Sequence, residues 1–466
     1  MRIIVLGGGP GGYSAAFEAA RLGARVTLIE KDRLGGTCLI WGCIPTKTIL
    51  RTARIVLDTT NAEEFGLDAE RASLDLPRLR ERKEGVVDEL VGQLDSTARR
   101  LKVEVVRGVG RLTGPKCVEV ELAEGGTAAY ECEALILATG SVPLKLPAID
   151  HTMPGVWTSD DAVALDAVPE RVLLIGGGVI GLEFACAYAA FGSKVTVVEF
   201  MPTVLPGNDK RVTRAVQEAL ERLGVGFRLG RTVDSVERRG KAMRSTLDSG
   251  EAIESDVVFS AVGRMPNSAG MGFAEAGIGM DRAAVKADAY FRTNVPGVYA
   301  IGDLIAGMML AHVAEEEGVC AARNAVSEAQ AAEVGGIPEL HTLDYWCIPA
   351  CVYTFPEVAV IGSSRDSARE RGLDAIQAVA KFAANGKALG EGEAEGFVQM
   401  VAEKGTGRIL GCQIVGPHAV EIVHEVSVAM SAGVTVGGLA HATHAHPTVS
   451  EVVRNAASDA AEKCGL

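Results

Sequence analysis

Two cysteines, Cys38 and Cys43, enclose Leu39-Ile40-Trp41-Gly42 and are flanked by Gly35-Gly36-Thr37 and Ile44-Pro45-Thr46-Lys47. Pro45 suits the first turn of a helix, where its missing N–H has no partner to lose. Ile49, Leu50 and Ile55 continue the apolar pattern, so a helix is expected to begin at Cys43. The dipole of that helix favours a thiolate at its N-terminus. Such a pair is suited to thiol–disulfide exchange. Structural zinc sites pair shorter CxxC units in two sets, and no second set follows here.

A second chemical cluster reads His441-Ala-Thr-His444-Ala-His446-Pro447-Thr448-Val449-Ser450-Glu451. Three close histidines could hold a metal, but no further ligand group with a usual spacing accompanies them. Thr448 and Glu451 have the spacing of a capping box that opens a last helix. Alternatively, His446 is a general base oriented by Glu451, since imidazole is matched to proton transfer near neutral pH. Pro447 restricts the backbone of His446 in either case. His418 and His424 lie in no motif.

A repeat must position these groups. Arg2–Leu6 is an apolar strand run, followed by the turn Gly7-Gly8-Gly9-Pro10-Gly11-Gly12, a helical stretch Tyr13–Leu22 and a strand Arg25–Ile29 that ends at Glu30. Val172–Ile175, Gly176-Gly177-Gly178-Val179-Ile180-Gly181, Leu182–Phe191 and Lys194–Val198 repeat the order and end at Glu199. One GxGxxG is weak evidence; two, each between a strand and a helix and each followed at the same interval by an acid, are strong evidence of dinucleotide binding. Gly7, Gly9 and Gly12, like Gly176, Gly178 and Gly181, allow the tight turn, the approach of a pyrophosphate and close helix packing. Glu30 and Glu199 would each accept from a ribose hydroxyl, and a carboxylate at Glu199 disfavours a 2′-phosphate, so NAD is expected rather than NADP. Later apolar runs, Leu135–Gly140, Val257–Gly263 and Thr293–Asp303, read as further strands.

Composition sets the limits. The 466 residues suffice for several domains, and the excess of 60 acidic over 46 basic residues argues against nucleic acid or an anionic membrane as partner. Cysteines other than 38 and 43 form no framework, which fits a reducing, cytoplasmic setting. From Val426 to Ser450 there is no formal charge, but three histidines and several Ser and Thr make it a poor membrane span. The charged helical stretch Leu79–Leu101 reads as an excursion from the first domain.

GGTCxxxGCIPTK, the two dinucleotide folds, ATG at 138–140, VGRxPN at 262–267, VYAIGD at 298–303 and HPTxSE at 446–451 resemble the FAD-dependent pyridine-nucleotide–disulfide oxidoreductases, class I, over nearly the whole chain. The resemblance implies an α/β fold of two Rossmann-like domains, for FAD and NAD, with a C-terminal α+β dimerisation domain. The boundaries expected are 1–145 for FAD, 146–268 for NAD, 269–338 for a central segment completing the FAD site, and 339–466 for the interface. By the same likeness Gly7, Gly9, Gly12, Glu30, Thr37, Lys47, Gly110, Thr139, Gly140, Asp303 and Ala311 serve FAD, and Gly176, Gly178, Gly181, Glu199, Val233 and Gly263 serve NAD. Lys47 and Glu183 resemble the family's ion pair near the reactive flavin nitrogen. Cys38 is expected to be the more accessible sulfur that meets substrate, Cys43 the one facing the flavin, and His446 with Glu451 the base.

Within the family, HPTxSE with an NAD-type acid most resembles the members that oxidise dihydrolipoyl groups. That implies a homodimer and a lipoyl-bearing protein partner, the acyltransferase of a 2-oxo acid dehydrogenase complex or a glycine-cleavage carrier, with no metal. Reduction of another disulfide or of Hg(II), and a non-catalytic flavin redox sensor, are the alternatives. One departure stands out: where the family has Leu-Asn-Val or close to it, this chain has Leu39-Ile40-Trp41. Trp41 either packs into the core beneath the helix or narrows the approach to Cys38.

Overall fold

The computed structural model describes residues 1–68 and 70–466. Arg2–Leu6 is an interior strand, third in a seven-stranded sheet, and its run Ile3–Leu6 is buried on both faces, as a parallel strand between helical layers requires. Ala134–Leu137 and then Val298–Ala300 flank it on one side, Arg25–Glu30 and Glu104–Gly114 on the other, all parallel. Cys117–Leu122 and Thr127–Glu131 extend the sheet antiparallel. Strand Val298–Ala300 thus returns to the first sheet after the chain has built a second one. That second sheet is fully parallel, in the order Gly226–Leu229, Lys194–Glu199, Arg171–Ile175, Val257–Ser260, Val156–Trp157. A five-stranded antiparallel sheet drawn from Ala350–Val352 to Ile409–Val415 forms the third layer system, packed by helices Ala419–Ser431 and Glu451–Cys464.

Both glycine turns repeat in structure. The helices after them run Pro10–Arg21 and Val179–Phe191. Gly7 and Gly176 share φ +109°, in the region where a side chain is strained. A Cβ on either would run into the carbonyl of Ala138 or Ala261, and one on Gly12 or Gly181 would strike the carbonyl of Gly7 or Gly176. These four positions are glycine because of the protein's own packing. The helix Pro10–Arg21 also crosses Ala311–Val334 closely, since a Cβ on Gly318 would meet the carbonyl of Gly11.

Two expectations need correction. Thr293–Asp303 is not one strand: a turn at Val295–Val298, with Gly297 at φ +74°, leaves only Val298–Ala300 in the sheet, and a 3₁₀ turn Gly302–Ile305 follows. The helix Leu76–Arg100, capped by Asp75 accepting from the Arg78 N–H at 3.1 Å, is more than a surface excursion. Its Val87 and Val91 are buried against Ile40, and its Lys83, also buried, donates to the carbonyl of Val163 at 2.7 Å.

Gly181→Ala should therefore cost roughly 1–3 kcal/mol through overpacking. Gly178, at φ −81° with no atom within 4 Å of its missing Cβ, should accept alanine within about 0.5 kcal/mol. Denaturant midpoints check this, and equal losses at the two positions would contradict the packing account.

Candidate active site

The α-helix Cys43–Thr60 begins at Cys43, and the chain approaches it through a π-helical turn Thr37–Trp41 that holds Cys38. No residue pattern in the sequence signals that turn. It is seated by Gly36 at φ +56°, whose Cβ would lie 2.6 Å from the Cα of Gly9. The cysteine turn and the first glycine turn therefore touch backbone to backbone. The neighbouring Cys38 thiol, helped by the charge of Lys47, holds the Cys43 thiol down to about 7 against the opposing effect of burial. The proximity of Cys43 and burial push the Cys38 thiol up. The pair is polarised.

Accessibility runs opposite to the expectation. Cys43 is exposed in the single chain and Cys38 half-buried, because the π turn tucks Cys38 in near Glu315 while the first helical turn leaves Cys43 open. Tyr13 donates its hydroxyl hydrogen to Glu315 beside this sulfur. Ile40 is buried with Val87 and Val91, whereas Trp41 is 44% exposed. Core packing accounts for Ile40 and fails for Trp41.

Lys47 lies one turn beyond Cys43 and donates to Glu183 at 2.9 and 3.0 Å. Glu183 is buried and also accepts from the Tyr353 N–H at 3.1 Å, while the Tyr353 ring lies 4.4 Å from Lys47 Nζ. The pair ties the cysteine helix to the helix of the second nucleotide fold.

The acids after each turn behave alike. Glu30 accepts from the Gly8 N–H at 2.6 Å and the Asp32 N–H at 2.9 Å; Glu199 accepts from the Gly177 N–H at 2.5 Å and the Met201 N–H at 2.7 Å. Both carboxylates are thus aimed by backbone before any ligand is considered. Gly9 has no protein atom nearer than 3.8 Å to its missing Cβ, and Gly178 none within 4 Å. Unlike their neighbours, these two glycines have no packing reason to be glycine, and a side chain would fill the space over the helix N-terminus. The residues fit a dinucleotide at each turn.

The other expected residues spread around the first turn. Asp303, in the 3₁₀ turn, accepts from the Ser141 hydroxyl at 2.5 Å. Arg264 Nε donates to Ser141 Oγ at 2.7 Å, and its Nη2 to the Ser141 carbonyl at 2.9 Å and to Thr37 Oγ1 at 3.5 Å. Thr139 Oγ1 donates to the Asn267 carbonyl at 2.7 Å, and the Gly140 carbonyl accepts from the Asn267 N–H. Gly263, at φ +115°, precedes Arg264, and Val233 opens a strand in the second fold's buried core. Ala311 is the first residue of its helix. Gly110 faces Leu6 and Ile29, so packing alone explains its lack of a side chain. Ser141, Arg264 and buried Glu317 escaped the sequence reading. Glu317 accepts from the Gly302 N–H and from the Tyr345 hydroxyl, each at 2.6 Å, and burial raises its carboxyl above the ordinary range. Ser141 follows the ATG glycine Gly140 and Arg264 lies within VGRxPN, whereas no motif signals Glu317.

His446 Nδ1 lies 2.9 Å from Glu451 Oε1, and Glu451 Oε2 accepts from the Thr448 N–H at 3.0 Å. These contacts hold the Glu451 carboxyl below its usual range. The capping box is half formed: the helix starts at Glu451 after Ser450, and the Thr448 hydroxyl turns to the Ala445 carbonyl. His444 pairs with Glu425 and His441 with the Gly437 carbonyl, so the three histidines diverge, and no metal-holding cluster occurs among the described residues. The His446 side chain is 79% exposed. Among the described residues no hydrogen bond or ion pair joins it to the cysteine pair.

Residues 1–318 match the model of the pyridine nucleotide-disulphide oxidoreductases, and residues 348–457 that of their dimerisation domain. The chain belongs to this family. It is 37% identical to dihydrolipoyl dehydrogenase of Chlorobaculum tepidum, over 99% of this chain and 97% of the relative. It is 38% identical to that of Bacillus subtilis, over 97% and 95%. Among solved structures it resembles LpdA of Mycobacterium tuberculosis, with a TM-score of 0.89 and 27% identity over 98% of this chain and 99% of that one. The family's fold, two dinucleotide-binding units and a dimerisation domain, is the one described above, and its members use FAD and NAD(H). No described helix is long and apolar enough to cross a membrane.

In the reduced protein the Cys43 thiolate should form with a midpoint about 7. Lys47→Met and Cys38→Ala should each move the midpoint upward, because each removes a contact that stabilises the anion. Ultraviolet thiolate absorbance against pH checks this; a midpoint at the ordinary ~8.5 in the parent protein would contradict it.

Proposed function

We propose that the protein oxidises a protein-bound dihydrolipoyl dithiol with NAD as acceptor. The observation that carries this reading is the placement of the cysteine pair: Cys38 in the π turn and Cys43 at the start of a helix one turn before Lys47, where the Cys43 thiol is held down and the Cys38 thiol pushed up. That is the state thiol–disulfide exchange would leave behind. His446 takes the proton of one substrate thiol, and the resulting thiolate attacks Cys38 Sγ in the Cys38–Cys43 disulfide. The S–S bond breaks and its electron pair leaves on Cys43, next to Lys47. The second substrate sulfur then displaces Cys38, closing the substrate disulfide, and its proton ends on Cys38. Glu451 orients His446, as a carboxylate orients the histidine of a triad. Bound FAD supplies electron transfer from the dithiol to NAD.

Gly7, Gly9, Gly12, Glu30, Thr37, Lys47, Thr139, Gly140, Asp303 and Ala311 are proposed to hold FAD, with Gly110 packing behind them. Gly176, Gly178, Gly181, Glu199, Val233 and Gly263 are proposed to hold NAD. Domain limits are proposed at 1–145, 146–268, 269–338 and 339–466, with Val298–Ala300 of the central segment returning to the sheet of the first domain. A homodimer is proposed because the chain carries the dimerisation domain and because exposed His446 makes no hydrogen bond or ion pair to the cysteine pair of its own chain among the described residues. The relatives named dihydrolipoyl dehydrogenase favour dihydrolipoyl over other disulfides or Hg(II).

Initial rates with dihydrolipoamide, glutathione disulfide, coenzyme A disulfide and Hg(II), each with NAD or NADP species, test the reading. Dihydrolipoamide with NAD should give the highest kcat/KM. His446→Gln should lower dithiol oxidation by about 10²–10⁴ while sparing hydride exchange between NADH and an NAD analogue. Equal efficiency with NADP would refute the role of Glu199, and equal slowing of both half-reactions the role of His446.

A further inference from the structure

Arg264 joins four parts of the molecule. It lies in a short strand, Arg264–Pro266, paired antiparallel with Ser141–Pro143, so the exits of the two nucleotide folds are laced together there. Its guanidinium meets Ser141 through both the hydroxyl and the carbonyl, and reaches Thr37, the residue before Cys38. Because Ser141 Oγ accepts from Arg264, its single hydrogen is directed to Asp303 Oδ2. The order of donors is therefore fixed: arginine to serine, serine to aspartate. One carboxylate oxygen of Asp303 is occupied, and Oδ1 is left to accept from a ligand hydroxyl. Arginine suits this role because its planar fork holds two directions at once; a lysine would offer a point charge.

We propose that Arg264 is a positioning residue that fixes Asp303 and the Thr37–Cys38 turn in one register. The backbone of Arg264 continues from Gly263, at φ +115°, in the second fold. This rests on the proposed flavin and NAD sites.

The test uses the holoenzyme and the variants Arg264→Met, Arg264→Lys and Ser141→Ala. Retention of flavin on dialysis and the thiolate–flavin charge-transfer absorbance of the two-electron-reduced protein are read alongside kinetics. Arg264→Met should release flavin at least about tenfold faster, as loss of charge-assisted hydrogen bonds implies. It should also weaken the charge-transfer band. Arg264→Lys should recover part of the flavin retention but not the band, since it cannot hold Thr37 and Ser141 together. Ser141→Ala should speed flavin release with a smaller effect on the band. The proposal is overturned if Arg264→Met keeps both flavin and band and changes only thermal stability, or if Arg264→Lys restores everything. A parent protein unable to bind flavin would instead sink the proposed function itself.

Discussion

The site depends on keeping a negative charge on one sulfur while its neighbour keeps a proton. Cys43 gains its stabilisation from three sources that the fold must supply together: the neighbouring Cys38 thiol, the cation of Lys47 and the start of the helix Cys43–Thr60. Lys47 could not stay close without Glu183, whose buried carboxylate would be costly unpaired and is satisfied by Lys47 and the Tyr353 N–H. The cysteines and Lys47 are local to one segment, but the contacts of Glu183 with Lys47 and Tyr353 cross from one part of the chain to another. The thiolate is thus a property of the assembled molecule.

The glycine turns supply the second constraint. Four of the six motif glycines are required by carbonyls of the protein itself, whereas Gly9 and Gly178 have open space before them. The distinction separates what folding demands from what a ligand demands. The contact of Gly36 with Gly9 then brings the cysteine turn to the first of these spaces. A dithiol and a dinucleotide cradle sharing one backbone contact is the arrangement electron transfer between them would need.

Much of this was legible in the sequence, and for physical reasons. The double strand–turn–helix repeat, the helix start at Cys43 and the His446–Glu451 pair follow from local rules of periodicity, capping and spacing. The π turn at Thr37–Trp41 was not legible, because it depends on Gly36 meeting a residue far earlier in the chain. Ile40 could be explained only once Val87 and Val91 were placed over it, and Trp41 remains exposed without a packing role. Arg264, Ser141 and Glu317 act through long-range hydrogen bonds that no spacing rule reports.

The central claim, that the Cys38–Cys43 disulfide accepts the electron pair of a substrate dithiol and the Cys43 thiolate it leaves delivers electrons inward, is tested most directly by anaerobic titration with dihydrolipoamide followed spectroscopically. The account predicts a long-wavelength charge-transfer band that rises as one equivalent of dithiol is consumed, is discharged by NAD, and is absent in Cys43→Ser. A flavin spectrum unmoved by dihydrolipoamide, or a band that persists in Cys43→Ser, would contradict it.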